Sequence, residues 1–344
     1  MTWKKSDVFA LMVGHGRSLD GSWDSGCVYK EYTEAGLMLP IVKRAVKWLR
    51  KSGVKVITDA DDANNRNMKA SVAWANSKKA KFYMSVHCDY SKATAGVMPL
   101  YKTASDRKMA VKIGKSIAKT MGMKYKGASK RTDLYELNAP TTTKANCILE
   151  TGSIKADLKS LKQYKKYGKA LAKAICAFIG VKMYQSKRAK LLRRASTVYD
   201  IMTKLHFRYS WSGNAVSWAK AKKQRTSNCA TYVSYILQTL GYLKASQSFW
   251  CNDGKIRTKG KGTKARLKKY FAISHPNKSP KKAGLMKGDI CGYSNGAHTQ
   301  IFAGFDKKGN PLWYSFASSD VGKHLPRNKG KYTNKKIDTI LRLK

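Results

Sequence analysis

The chain has 344 residues, 42% of them hydrophobic, with a formal charge of +49. That length suits two domains better than one, and that apolar content supports a packed core, so disorder is excluded as the default state. No stretch reaches the roughly 18–20 continuous apolar residues that span a membrane, so no membrane insertion is expected.

The charge is +20 in residues 1–180 and +29 in residues 181–344, so it is global and not confined to a tail. Such a surplus calls for an anionic partner: nucleic acid, an acidic membrane or wall polymers. A nucleic-acid protein would gather arginine and aromatic residues on one face. Here the charge is mostly lysine and evenly spread, so no nucleic-acid partner is expected. The seven cysteines are odd in number and include no C-x-x-C pair. This argues against a disulfide framework or a zinc knuckle and fits a reducing cytoplasm.

The opening MTWKKSDVFALMVGHG sets two lysines before an apolar run. That run is too short for a signal peptide, carries Asp7 and lacks a small-residue cleavage site, so it reads as a first strand and no export signal is expected. Strands follow at 55–59, 82–89 and 147–151. Between them, helical periodicity marks 37–53, which Gly53 stops, then 62–78, 104–121 and 157–179. Strand–helix alternation predicts an α/β domain over 1–182, a mostly parallel sheet flanked by helices. Residues 183–190 read as a basic linker. Beyond it, 191–344 reads as α+β. It has helices at about 188–206 and 229–240, an exposed Gly-rich loop at 252–264, and four C-terminal strands: DICGYS, HTQIFAGF, PLWYSFAS and KIDTILRLK.

In a parallel sheet, ligands collect beyond the carboxyl ends of the strands. His15 ends the first strand, His87 ends the third, and Glu34 opens the first long helix at the same edge. Two imidazoles and one carboxylate make a three-ligand set for catalytic Zn²⁺, leaving a position for water. Glu150 ends another strand there and is placed to carry a proton. Each residue also has a plainer reading. The histidines fit core or surface positions, Glu34 fits a first-turn acid favoured by the helix dipole, and Glu150 fits a lysine partner.

The context of these residues resembles the zinc-dependent N-acetylmuramoyl-L-alanine amidases. The islands are Gly14-His15-Gly16, then a glutamate opening TEAGLMLPIVKRAVKWL, then Arg66 and Ala75-Asn76. After them come Ser85-Val86-His87-Cys88-Asp89, Gly96, and Glu150-Thr151-Gly152-Ser153-Ile154. The resemblance implies His15, Glu34 and His87 as zinc ligands, Glu150 as the catalytic carboxylate, and bacterial peptidoglycan as substrate. Glu31 lies three residues before Glu34; the distance to the apolar run LPIVKRAVKWL favours Glu34. Cys27 is unexplained, and Cys88 alternates away from His87 and is assigned to packing.

In the second half, Cys229 opens an amphipathic helix, where backbone amides and the dipole favour a thiolate. His298 begins a later strand. A cysteine on a helix start with a histidine on the following sheet is a nucleophile–base arrangement; the plain alternative is a buried cysteine and a turn histidine. The pieces Tyr209-Ser210-Trp211, Asn228-Cys229-Ala230-Thr231-Tyr232-Val233, Leu285 through Ile290, and His298 through Gly304 resemble the NlpC-type and cysteine-histidine-dependent (CHAP) peptidases of the cell wall. These pieces imply a papain-like domain with Cys229 and His298 as catalytic residues. The strand PLWYSFASS offers no His, Asn or Gln as a third residue. Ser315 and Asp320 are the polar groups nearby.

Together the two resemblances imply a phage endolysin with two lytic domains. It would stay in the host cytoplasm until released, then act at the bacterial cell wall, with anionic wall polymers as further partners. A host autolysin is one alternative, and an amidase with a non-catalytic C-terminal wall-binding domain is another. Oligomeric state is unknown at this level.

Overall fold

The computed structural model describes residues 3–18, 20–62, 68–252, 255–293, 298–321, 323, 325–328 and 335–344; Arg66 of the motif above lies outside them. The chain divides into two compact units, Met1–Tyr184 and Gln185–Lys344. No helix among the described residues is long and apolar enough to cross a membrane.

The first unit is built on the strand Val8–Val13, all six residues of which are buried. Alternation sends Phe9, Leu11 and Val13 into the main core with Met38, Ile41 and Leu49. Val8, Ala10 and Met12 go to a smaller core with Val72, Ala75 and Tyr83. A strand covered on both faces is one that reads as a continuous apolar run. Its parallel neighbours are Lys55–Ile57 and Phe82–Asp89, and Phe82–Asp89 pairs in parallel with Ala145–Ser153. The six-stranded sheet is completed by Met98–Tyr101, antiparallel to Ala145–Ser153, and the short Ser129–Lys130.

The helix Glu34–Lys51 starts where Thr33 accepts the Gly36 N–H at 3.0 Å, an N-cap that satisfies one orphan amide. It packs against the helix Tyr164–Ile179, which also packs against Ala104–Met121. Contact is close because Gly168 lacks a side chain; a Cβ there would lie 2.5 Å from the Ile41 carbonyl oxygen. Asp59 buries its carboxylate to accept the Val13 N–H at 2.9 Å, which fixes the strand end just before His15.

In the second unit the helices Lys187–Lys204 and Cys229–Thr239 pack together. The five-stranded sheet is antiparallel, in the order Phe271–Ser274, Ile337–Leu343, Ile290–Tyr293, Thr299–Phe305, Pro311–Tyr314. The helix Lys187–Lys204, expected at about 188–206, starts where Ser186 caps it by accepting the Ala189 N–H at 3.1 Å. One reading needs correction. The stretch 252–264 is not simply an exposed loop. Lys255–Lys259 is a strand paired with Ser248–Asn252, and a helix starts at Thr263. Ile256 and Thr258 alternate with exposed basic residues, a period of two that the glycines on the C-terminal side had obscured.

Candidate metal centre and thiol cleft

At the carboxyl edge of the first unit's sheet, His15, Glu34 and His87 offer one ligand atom each, all within 4.8 Å of one another. Glu34 Oε1 lies 3.1 Å from His87 Nδ1 and 3.5 Å from His15 Nε2. The carboxylate among the imidazoles is thus that of Glu34, which is 3% exposed. Glu31 is exposed on the hairpin that precedes the helix.

Backbone groups hold Glu34 in place. The Cys88 N–H donates to Oε1 at 2.9 Å and the Cys27 N–H to Oε2 at 3.1 Å. Burial alone would raise the Glu34 carboxyl, but His87 and His15 outweigh it and hold the group down at about 2. For His87 burial acts downward, and the carboxylates of Glu136 and Glu34 overcome it, so the imidazole sits well above the usual histidine range.

The outward nitrogens of both rings face carboxylates. His15 Nδ1 lies 2.7 Å from Asp24 Oδ2, and His87 Nε2 lies 3.4 Å from Glu136 Oε2. Glu136 is itself fixed by the Tyr83 hydroxyl, which donates at 2.7 Å. A carboxylate on the far nitrogen is the usual way to orient a ligating histidine and raise its basicity. Asp24 and Glu136 were not singled out in the sequence. Asp24 ends the two-residue strand Trp23–Asp24 and Glu136 lies in a four-residue helix, elements too short for periodicity to mark them.

Two glycines open the space. A Cβ on Gly14 would fall 2.1 Å from the His87 ring, and one on Gly26, at φ +62°, would fall 2.6 Å from Glu34 Oε2. The donor set, two nitrogens and one carboxylate converging in such a cradle, fits Zn²⁺.

Glu150 is paired in register with His87 on the adjacent parallel strand. Its Oε2 is buried with no hydrogen-bond partner among the described residues. Burial, opposed by His87 and reinforced by the negative charge of Glu34, pushes the carboxyl up to about 7. A carboxyl in that range can both take and return a proton near neutrality. Asn76 of the motif has a structural role: its Nδ2 donates to the Ala139 carbonyl and its Oδ1 accepts the Thr141 N–H.

In the second unit Cys229 is the first residue of its helix. Asn228 and Thr231 cap that helix reciprocally, each accepting the other's backbone N–H at 2.9 Å. The thiol borders a cleft of about 370 Å³ whose lining includes Tyr209, Trp211, Asn228, Trp250 and Lys259. The expectation of a lowered thiol is not met. Burial pushes Cys229 up, and hydrogen bonds from the Thr299 and Ala230 amides offset only part of it.

His298 precedes the strand Thr299–Phe305, so the amide that reaches Cys229 belongs to its sequence neighbour. Its Nε2 faces Gln300 Oε1 at 3.2 Å and Ser315 Oγ at 3.3 Å. Gln300 Nε2 donates to the Tyr293 hydroxyl, which turns Oε1 toward the imidazole. His298 Nε2 is then the donor and Nδ1 carries the lone pair. Burial drives His298 down to about 4 against the pull of Gln300 and Asp320. Asp320 itself is taken by Arg327, whose Nε donates to it at 2.8 Å. Gln300 was not singled out because it stands two residues after the histidine, on the strand that starts at Thr299, and not on the next strand.

Residues 10–180 match the family model described as N-acetylmuramoyl-L-alanine amidase (Amidase_3), so the first unit carries a domain of that family. Among solved structures, the chain is similar to the catalytic domain of CwlV, an N-acetylmuramoyl-L-alanine amidase from Bacillus (Paenibacillus) polymyxa var. colistinus. Identity is 21%, coverage 51% of this chain and 99% of that one, and TM-score 0.46. It is similar to the N-acetylmuramoyl-L-alanine amidase AmiC2 of Nostoc punctiforme at 21% identity, 51% and 98% coverage, and TM-score 0.46. It is also similar to the catalytic domain of the CD27L endolysin targeting Clostridia difficile at 20% identity, 50% and 96% coverage, and TM-score 0.41. No match was found among curated proteins.

Proposed function

We propose that the chain is a peptidoglycan hydrolase whose first unit cleaves the amide between muramic acid and L-alanine. The observation that carries this reading is the cluster of His15, Glu34 and His87 beside the buried Oε2 of Glu150, which has no hydrogen-bond partner among the described residues, within a domain of the amidase family. His15, Glu34 and His87 would hold Zn²⁺, which when bound polarises the scissile carbonyl and acidifies water. Asp24 and Glu136 keep the two imidazoles turned to the centre. Glu150 takes a proton from the attacking water and delivers it to the leaving nitrogen as the C–N bond breaks.

For the second unit the proposal is a papain-like peptidase acting on a wall-peptide amide. Cys229 would attack the carbonyl to form a thioester, while His298 Nδ1 accepts the thiol proton and returns it to the leaving amine. Gln300 and Ser315 orient the ring. One observation favours a second reading, a wall-binding module without chemistry: burial raises the thiol and lowers the imidazole, the reverse of a resting ion pair.

Anionic wall polymers are proposed as the partner of the positive charge. On the three packed helices of the first unit, every exposed charged side chain is basic, Lys43, Lys47, Lys112 and Lys169 among them. Binding to such polymers weakens as salt rises. A phage endolysin held in the host cytoplasm until its release to the cell wall is the biological setting proposed; a host autolysin would use the same chemistry. Mass spectrometry of digested peptidoglycan tests the whole reading. Free L-alanine amino ends that vanish with Glu150→Ala support the amidase, and their persistence removes Glu150 from the mechanism. A second class of cut peptide that vanishes with Cys229→Ala supports the peptidase.

A further inference from the structure

We propose that Cys27 and Cys88 are a redox pair that closes to a disulfide and fastens the metal-site loop to the strand bearing His87. The two Sγ atoms lie 3.9 Å apart, and both cysteines are free thiols. Cys27 is partly exposed and Cys88 is buried, so an oxidant meets Cys27 first. The Cys27 thiol also points at the Cys88 and Asp89 carbonyls, at 3.5 and 3.7 Å, so it already rests on the end of that strand.

The position gives the pair a purpose beyond packing. The backbone amides of these two residues each grip one oxygen of Glu34. The Cys27 carbonyl also accepts the Glu34 N–H at 2.9 Å. Asp24, the partner of His15, ends the short strand Trp23–Asp24 three residues before Cys27 in the chain. A bond between the sulfurs therefore ties together the segments that present all three clustered side chains. A pair with one partly exposed thiol stays reduced where thiols are kept reduced and closes where disulfides form.

The chemistry balances with a disulfide such as oxidised glutathione as the oxidant. The Cys27 thiol attacks one sulfur, forming a mixed disulfide and releasing one glutathione thiol. The Cys88 thiol then attacks Cys27 Sγ, forming the Cys27–Cys88 bond and releasing the second. Two protein thiols are oxidised, one external disulfide is reduced, and both thiol protons leave on glutathione.

The test treats the purified full chain with oxidised glutathione and maps the products by non-reducing proteolysis and mass spectrometry. The expected result is a linked Cys27–Cys88 peptide and the loss of two hydrogens, reversed by dithiothreitol. Cys88→Ser should stop at a glutathione adduct on Cys27, and Cys27→Ser should give neither product. A wild-type protein that accumulates the Cys27 adduct without the link overturns the proposal. A second readout rests on the zinc reading: the oxidised protein, loaded with Zn²⁺, should lose it to EDTA about tenfold more slowly than the reduced protein. Equal rates overturn the fastening role. A protein that takes up no Zn²⁺ at all overturns the zinc reading and leaves the linked peptide as an independent result.

Discussion

The candidate metal centre and the thiol cleft set the charge of their titratable groups by opposite means. At the first, opposite charges face each other: two imidazoles share Glu34, Asp24 and Glu136 stand on the outer nitrogens, and Glu34 is held down at about 2. At the second, burial dominates: the thiol is pushed up, the imidazole is pushed down to about 4, and Nε2 of the ring faces the neutral groups of Gln300 and Ser315. A site of the first kind is built around a charge that it expects to hold. On the proposed peptidase reading, a site of the second kind would generate its nucleophile during the reaction by proton transfer.

The largest effect expected is that of Cys229→Ala. If the cleft is a peptidase, removal of the nucleophile should cut formation of the second peptide product by about 10⁶-fold. Release of L-alanine amino ends should stay at the wild-type rate, measured in the same digest. An unchanged product pattern would leave the second unit as a binding module. Next in size, Glu150→Gln should slow amide cleavage by about 10²–10⁴-fold, the usual worth of a positioned acid–base group. Its zinc content, measured by elemental analysis, should match wild type, because Glu150 stands beside the three clustered side chains and not among them.

The contrast also has a pH signature. His298 has a folded value of about 4 against an ordinary 6.5. The unfolded chain therefore binds the extra proton first, and stability falls as pH drops from about 6.5 to about 4. The full loss is about 3 kcal/mol, at 1.36 kcal/mol per unit. Denaturant melts should show this slope in wild type and a shallower one in His298→Gln; equal slopes would mean that the ring is not held neutral by burial. At the metal centre the matching probe is Asp24→Asn. It keeps the hydrogen-bonding shape on His15 but removes the charge, and zinc affinity should fall by about 10–100-fold. A change within error would show that the His15 orientation is set by the chain alone.

How much of this could be read in the sequence follows the same division. Residues at strand ends and helix starts were legible, because His15, His87, Glu150 and Glu34 occupy positions that a parallel sheet delivers to one edge. The first turn of the helix explains why Glu34 rather than Glu31 joins them: Thr33 is the cap, so Glu34 points into the site and Glu31 stays on the hairpin. The orienting residues were not legible. Asp24 comes from a two-residue strand, Glu136 from a single helical turn, and Gln300 from the strand that starts just after the histidine, two residues on. The state of Cys229 was misjudged for a related reason. The helix start that favours a thiolate is visible in sequence, while the packing that buries the sulfur is tertiary.

The smallest effect sharpens the comparison most. Ser315 and Gln300 share His298 Nε2, at 3.3 and 3.2 Å, and Gln300 is additionally pinned by Tyr293. Ser315→Ala removes one neutral hydrogen bond and leaves the tautomer fixed by the other, so peptide cleavage should fall only about fivefold, near 1 kcal/mol. Gln300→Ala removes the pinned acceptor and should cost more, with a shift in the pH–rate profile that Ser315→Ala lacks. If the two variants exchange rank, the serine is the principal orienting residue. The ring would then depend on a rotatable hydroxyl, and not on an amide locked by its neighbour, to keep its lone pair on Nδ1.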